Sequence, residues 1–143
     1  MSTETNKAIV RRMSEQVWNA HQVDLVDEFF TEDIVYHPSN FPSFSGLEAM
    51  KKYVAIVLNA YPDIQGFGED VIAEGDKVVV RGSKKCTHQG ELAGIPPTGK
   101  QVTTTMTAIY RLVNGKIAEV WFWNEDLSEF QQLGVIPALV PAG

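Results

Sequence analysis

The chain of 143 residues predicts an α+β domain with helices first and strands after them. Three observations carry that prediction. Apolar residues recur at steps of three and four up to Ala60, and from Asp63 onward the period switches to two and stays there. Asn114-Gly115 falls between two alternating runs, which is the pair a two-residue hairpin turn demands. The length suits one domain with a full core, and no repeat, low-complexity tract or linker divides residues 1–143.

Each element follows from a local pattern. From Thr5 to His21, Ile9, Met13 and Val17 stand four apart with Val10 and Trp18 beside them, one apolar stripe on a first helix. Leu25, Val26, Phe29 and Phe30 give the face of a second, short helix. Residues 34–37 read as a short strand, and Pro38, Pro42 and several serines make the next stretch a loop. Ser45 with Glu48 matches a capping box, and Leu47, Met50, Val54 and Leu58 form the buried stripe of a third helix that Pro62 prevents from continuing. Four strands are then expected over 64–73, 77–88, 101–112 and 116–126, an antiparallel meander with turns at 74–76 and 114–115, closed by a short helix over 127–133.

Composition narrows the function. Hydrophobic residues at 44% and charged residues at 21% are ordinary for a globular protein, and 18 acidic against 12 basic residues leave a formal charge of -6. No cluster of Lys and Arg is interleaved with aromatics, which argues against a nucleic-acid partner. The N-terminus lacks the apolar run of a secretory signal, and no eighteen-residue apolar span occurs. A soluble, cytoplasmic protein with no membrane partner is therefore expected. Cys86 is the sole cysteine, so an intrachain disulfide is excluded; Lys84 and Lys85 could lower its pKa, while its place in a strand suits packing.

The Asn-Gly turn also sets a register. With Val113 opposite Lys116, Ala108 falls opposite Trp121, Met106 opposite Trp123 and Thr104 opposite Glu125. Glu119, Trp121, Trp123 and Glu125 alternate and so share one face, joined by Met106, Ala108 and Tyr110. Indoles do not belong on a solvent face and carboxylates do not belong in a plain core, whereas a pocket wall suits both. Trp18, Tyr53, Met106, Tyr110, Trp121 and Trp123 are the candidate lining residues, with His37 a further candidate on the short first strand. The reverse face sets Thr107 against Phe122, Ile109 against Val120 and Thr103 against Asp126, and forms a candidate homodimer interface.

On this register Glu125 is the candidate general acid/base, because burial among indoles disfavours its charged form and moves its pKa towards the range useful for proton transfer. Asp126 faces the other way on a regular strand, where it suits capping of the last helix; a bulge near Asn124 would exchange the two. His88 ends a long strand just before a loop over 89–99 stiffened by Pro96 and Pro97. It could share a proton with the acid or donate to a developing oxyanion. No HxH, HxxxH or HExxH spacing marks a metal site, and no G-x-S-x-G, P-loop or G-x-G-x-x-G motif marks a serine hydrolase, a nucleotide hydrolase or a dinucleotide enzyme.

The strings THQGELAGIPPTGK, YRLVNGKIAEVW and QQLG, in that order and spacing, resemble the SnoaL-like polyketide cyclase or ester cyclase family within the NTF2-like proteins. GLEAMKKYV, PDI and EGDKVVVR extend the resemblance over nearly the whole chain. It implies a cone in which a strongly curved antiparallel sheet wraps helices around an apolar cavity, with homodimers formed through the outer sheet face. It further implies an intramolecular aldol cyclisation of a hydrophobic ligand by an acidic residue, with no metal or cofactor. The family's acid lies four residues after the tryptophan of E-x-W; here Glu119-Val120-Trp121 carries that motif, so the position is Glu125, with Asp126 next to it. Isomerisation, dehydration or epoxide hydrolysis in the same cavity, or ligand binding without catalysis, are the alternatives.

Overall fold

The computed structural model describes residues 2–139. Ser2 caps the first helix, its hydroxyl accepting the Thr5 N–H at 3.0 Å. Helix α1 (Thr3–Met13) buries Asn6, Ile9, Val10 and Met13 and runs on as a wider π turn over Ser14–Asn19. A 3₁₀ turn leads into α2 (Val26–Phe29), and β1 (Phe30–Pro38) begins at once. Phe30 therefore belongs to a strand rather than to a helix face, and that strand is longer than the expected 34–37.

Ser45 does not cap a helix. It lies in β2 (Phe44–Ser45), a two-residue strand paired with β1. Helix α3 (Leu47–Ala60) starts instead from Gly46 at φ +93°, a conformation open to glycine, whose N–H donates to the Ile34 carbonyl at 2.8 Å. The long strands β3 (Gln65–Glu74), β4 (Lys77–Thr87), β5 (Gln101–Val113) and β6 (Lys116–Asn124) form the expected meander, and α4 (Asp126–Leu133) follows. The sheet order is β2-β1-β6-β5-β4-β3, with β1 parallel to β6 and the other neighbours antiparallel. The first strand thus closes the meander at its β6 edge, which local periodicity alone did not indicate.

The β5–β6 hairpin turns where expected, with Asn114 at φ +49° and Gly115 at φ +83°, and Val113 faces Lys116. One residue later the pairing slips. Leu112 still faces Ile117, but Arg111 faces Glu119, leaving Ala118 as the extra residue of a β-bulge. Ile117 and Ala118 are both buried, so the bulge sends two successive apolar side chains inward. Beyond it every partner moves by one: Phe122 faces Ala108 and Asn124 faces Met106, while Trp121 faces Ile109 and Trp123 faces Thr107.

The core lies between the sheet and the helices α1 and α3, with Tyr36, Met50, Val78, Ala108 and Val120 among its members. A smaller cluster around Tyr61, Cys86, Val102 and Leu133 joins α4 to the far end of β4 and β5. Burial there pushes the Cys86 thiol up to about 12, against the pull of Lys84, so it is a packing residue. The loop after β4 is tied to the end of α3, because Gln89 and Gly90 both donate to the Ala60 carbonyl. Gly90 lies flat against Asn59 and leaves no room for a Cβ. Among the described residues no helix is long and apolar enough to cross a membrane.

Candidate functional site

A pocket of 320 Å³ opens between α1, α3 and the helix-covered face of the sheet. Trp18 and Val10 come from α1 and its π turn, Tyr53 and Val57 from α3, and Met106 and Phe122 from the sheet. Tyr53 packs edge-on against Trp18, with ring centroids 6.1 Å apart. Where α4 crosses the end of the sheet the wall turns polar, through Lys84, Tyr61 and Glu129.

That polar end is built from two side chains on apolar parity. Strand β4 points Val78, Val80, Gly82, Lys84 and Cys86 to one side, so Lys84 occupies a position in an otherwise apolar row. Helix α4 buries Glu129 and Leu133, four residues apart on one face. Glu129 is 2% exposed. Its Oε1 lies 2.7 Å from Lys84 Nζ and accepts from Asn124 Nδ2 at 2.9 Å, and its Oε2 accepts the Tyr61 O–H at 2.7 Å. Asn124 also donates to Asp126 Oδ1 at 2.9 Å and accepts the Thr104 O–H at 3.0 Å, so one amide holds both carboxylates of α4.

Burial is the largest influence on Glu129 and acts to raise its pKa. Lys84, then Tyr61 and Asn124, outweigh burial together and hold the carboxyl below its usual range. Tyr61 moves the other way: burial and the neighbouring Glu129 charge raise its pKa, so the phenol keeps its proton. The arrangement is an ionised carboxylate and an ammonium facing each other across a pocket wall, with a neutral phenol beside them. Among the described residues no three His, Cys, Asp or Glu side chains are grouped to hold a metal ion.

The sequence-predicted residues separate into two groups. Trp18, Tyr53, Met106 and Tyr110 line the pocket as expected. Trp121, Trp123, Glu125 and His37 do not, and the bulge at Ala118 is the physical reason for the first two. Trp121 stacks on His37 on the reverse face of the sheet, centroids 5.6 Å apart, and Trp123 is 49% exposed. His37 Nε2 lies 2.8 Å from Glu119 Oε2 on that same face. Glu125 is exposed and accepts from the N–H and hydroxyl of Thr105. Those bonds hold its pKa below the usual value, opposite to the rise expected from burial.

Asp126 does not line the pocket either; it is bonded by Asn124 beside the polar cluster, and the bulge that turns Glu125 away lies further back along the strand than Asn124. His88 is fully buried behind the pocket wall, its ring 5.7 Å from that of Tyr61. The Thr98 N–H donates to its Nδ1 at 3.1 Å, which places the ring proton of the neutral form on Nε2 and ties the histidine to the Pro-Pro loop. Glu129, Tyr61 and Lys84 were missed as site residues. The available signal was a lysine on the apolar parity of β4 and a glutamate one turn before Leu133.

The sequence model of SnoaL-like polyketide cyclases matches residues 8–133. Over 139 residues the chain is 30% identical to the aklanonic acid methyl ester cyclase DnrD of Streptomyces peucetius, covering 94% of this chain and 92% of that one. It is 29% identical over 131 residues to the aklanonic acid methyl ester cyclase DauD of Streptomyces sp. strain C5, covering 88% and 80%. Among solved structures, AclR of Streptomyces galilaeus, proposed to be a hydroxylase, superposes with a TM-score of 0.85 at 31% identity, covering 98% of this chain and 87% of that one. A SnoaL-like protein of Jannaschia sp. CCS1 shares the fold, with a TM-score of 0.87 at 23% identity over 94% and 95% of the two chains.

Proposed function

The chain belongs to the SnoaL-like polyketide cyclase family, and on that premise we propose that it is a cofactor-free acid/base enzyme closing a ring in a hydrophobic, carbonyl-containing small molecule by intramolecular aldol chemistry, with Glu129 as the proton-transfer group. The observation that carries this reading is a carboxylate 2% exposed in the wall of a pocket, held by an ammonium and a phenol.

Glu129 takes a proton from a carbon alpha to a carbonyl, the resulting enolate carbon attacks a second carbonyl of the same molecule, and the new alkoxide takes the proton back. Product and substrate are isomers. A carbon flanked by two carbonyls suits a carboxylate whose pKa is held low, because such a carbon gives up its proton most readily. Lys84 keeps a positive charge beside the enolate as it forms. A substrate oxygen that draws the hydrogen bonds of Lys84 or Tyr61 towards itself removes what opposes burial at Glu129, and the carboxylate then holds a proton more strongly when one must be taken. The apolar walls exclude water and hold the two ends of the substrate together.

The relatives' own compound class provides the assay. Incubation with aklanonic acid methyl ester should give a product of unchanged mass, and Glu129→Gln should lower turnover by about a hundredfold or more while leaving ligand affinity in place. Undiminished turnover in that variant would sink the assignment. A product heavier by one oxygen would favour the hydroxylase reading that AclR suggests, which requires an external oxidant.

A homodimer through the reverse sheet face belongs to the same proposal. Trp123 and Ile72 are 49% and 63% exposed there, a surface a second copy can cover. Sedimentation should show a dimer that Trp123→Arg converts to monomer; a wild-type monomer refutes it.

A further inference from the structure

Among the described residues that line the pocket, the exposed ones are Arg11 and Glu15, on α1 and its π turn, and Gly66, Phe67 and Gly68, at the start of β3. The mouth of the pocket therefore lies between the π turn and β3. Phe67 is 57% exposed while it lines the pocket, which places it on the lip. β3 is the outermost strand and pairs with β4 alone, so its outward N–H and C=O groups have no strand to meet. At Gly66, Asn19 takes that strand's place. The Gly66 N–H donates to Asn19 Oδ1 at 2.7 Å, and Asn19 Nδ2 donates to the Gly66 carbonyl at 3.0 Å. Gln65 Nε2 donates to the Asn19 carbonyl and His21 Nε2 to the Ile64 carbonyl, both at 3.0 Å. Side chains make all four bonds, and the two at Gly66 are open to water that can compete for them.

Behind this latch the strand is built to bend. Glycines flank Phe67, Gly82 of β4 faces Gly68, and Glu69 is the unpaired residue of a β-bulge. A Cβ on Gly68 would meet Val80 at 3.6 Å in ordinary contact, so no crowding requires glycine there, and what the missing side chain gives is backbone freedom. We propose that Gly66-Phe67-Gly68 is the gate of the pocket, held shut by Asn19, and that ligand enters and product leaves when the two bonds at Gly66 break and Phe67 swings outward. The glycines absorb the change in backbone angles, and the bulge confines it to the first residues of the strand. The gate rests on the pocket being the ligand site and is independent of Glu129 as base.

Thiol labelling tests the gate without a ligand. The full chain with Cys86→Ala loses its buried native thiol, and Met106→Cys then puts one thiol on the pocket wall. Its reaction rate with dithiodipyridine reports how often the pocket opens. Asn19→Ala should raise that rate about tenfold or more, as the loss of two hydrogen bonds of the closed state requires. Gly68→Ala should lower it severalfold, because the strand then bends less freely. Lys51→Ala, which breaks a surface bond to Asp27 between α3 and α2, should leave it unchanged. In the parent, the rate should respond weakly to urea well below the unfolding midpoint, since a local opening exposes little surface. Val57→Cys, on α3, labels the same pocket from a second wall; it should give the same ranking and serves if Met106→Cys does not fold. An unchanged rate in Asn19→Ala, an equal acceleration by Lys51→Ala, or a rate that climbs with urea as steeply as global unfolding would each overturn the gate. Turnover is read separately, so an intact labelling pattern with full activity in Glu129→Gln overturns only the role of Glu129.

Discussion

Glu129 and Glu119 each sit between a cation and a polar side chain, one on the helix-covered face of the sheet and the other on its reverse. Glu129 meets Lys84 and Tyr61; Glu119 meets Arg111 at 3.3 Å and His37 at 2.8 Å. Both carboxyls are held below their ordinary range, for different reasons. At Glu119 the hydrogen bond with His37 is the largest influence, and the side chain is 22% exposed. At Glu129 the largest influence is burial, which opposes ionisation and is outweighed by the partners together. Water can replace a lost partner in the outer cluster and cannot do so in the inner one. A glutamate beside a cation therefore makes a surface clasp in one place and, in the function proposed, the proton-transfer group in the other.

The largest effect that can break this comparison is on stability. Lys84→Met leaves a buried carboxylate unpaired and should cost about 3–5 kcal/mol in urea unfolding, whereas Arg111→Met should cost less than about 1 kcal/mol. Equal losses would show that Glu129 is better solvated than its surroundings indicate.

Acid sharpens the contrast next. The folded pKa of Glu129 lies below the unfolded carboxylate value, about 4.3, so its contribution is complete above that value and is lost as pH falls through the folded one. Urea midpoints measured from neutral pH downward should fall more steeply for the wild type than for Glu129→Gln. Glu119→Gln should track the wild type closely, because solvent screens the outer pair.

Packing separates the two faces as well. Phe122→Ala removes part of the pocket wall and, because Phe122 is only half-buried, should cost about 2 kcal/mol, less than the roughly 3–5 kcal/mol of a fully buried phenylalanine cut back to alanine, with weakened ligand binding. Trp121→Ala loses its stack on His37 and should leave ligand affinity unchanged. The smallest effect is expected at Glu125→Gln, which should retain turnover because Glu125 bonds Thr105 away from the pocket. Loss of turnover there would restore the role that sequence position alone suggests.

Much of this architecture was legible beforehand, because its signals are local. The stripe of Ile9, Met13 and Val17, the Asn-Gly turn and the alternation of β5 each report on their own neighbourhood, and they place Trp18, Tyr53, Met106 and Tyr110 correctly on the pocket. The bulge was not read, because its only local mark is the pair of adjacent apolar residues Ile117 and Ala118, which a regular strand also tolerates; β1, paired with β6 on its other side, shifts register over the same stretch. Its omission misplaced Trp121 and Trp123 together. Glu129 escaped notice for a related reason. A glutamate in a short terminal helix reads as solvated until β4 is known to carry Lys84 beneath it, and the two are 45 positions apart in sequence (129 − 84).

The extra residue at Ala118 separates the facing of the two halves of β6. Deleting it would give an unbroken ladder in which Glu119 still faces Arg111, Phe122 still faces Ala108 and Asn124 still faces Met106. Pairing Ala118 with Arg111 instead would turn over every side chain beyond it and bring Trp121 and Trp123 to the pocket. One string of letters is thus compatible with two walls, and the choice of partner for Arg111 selects between them.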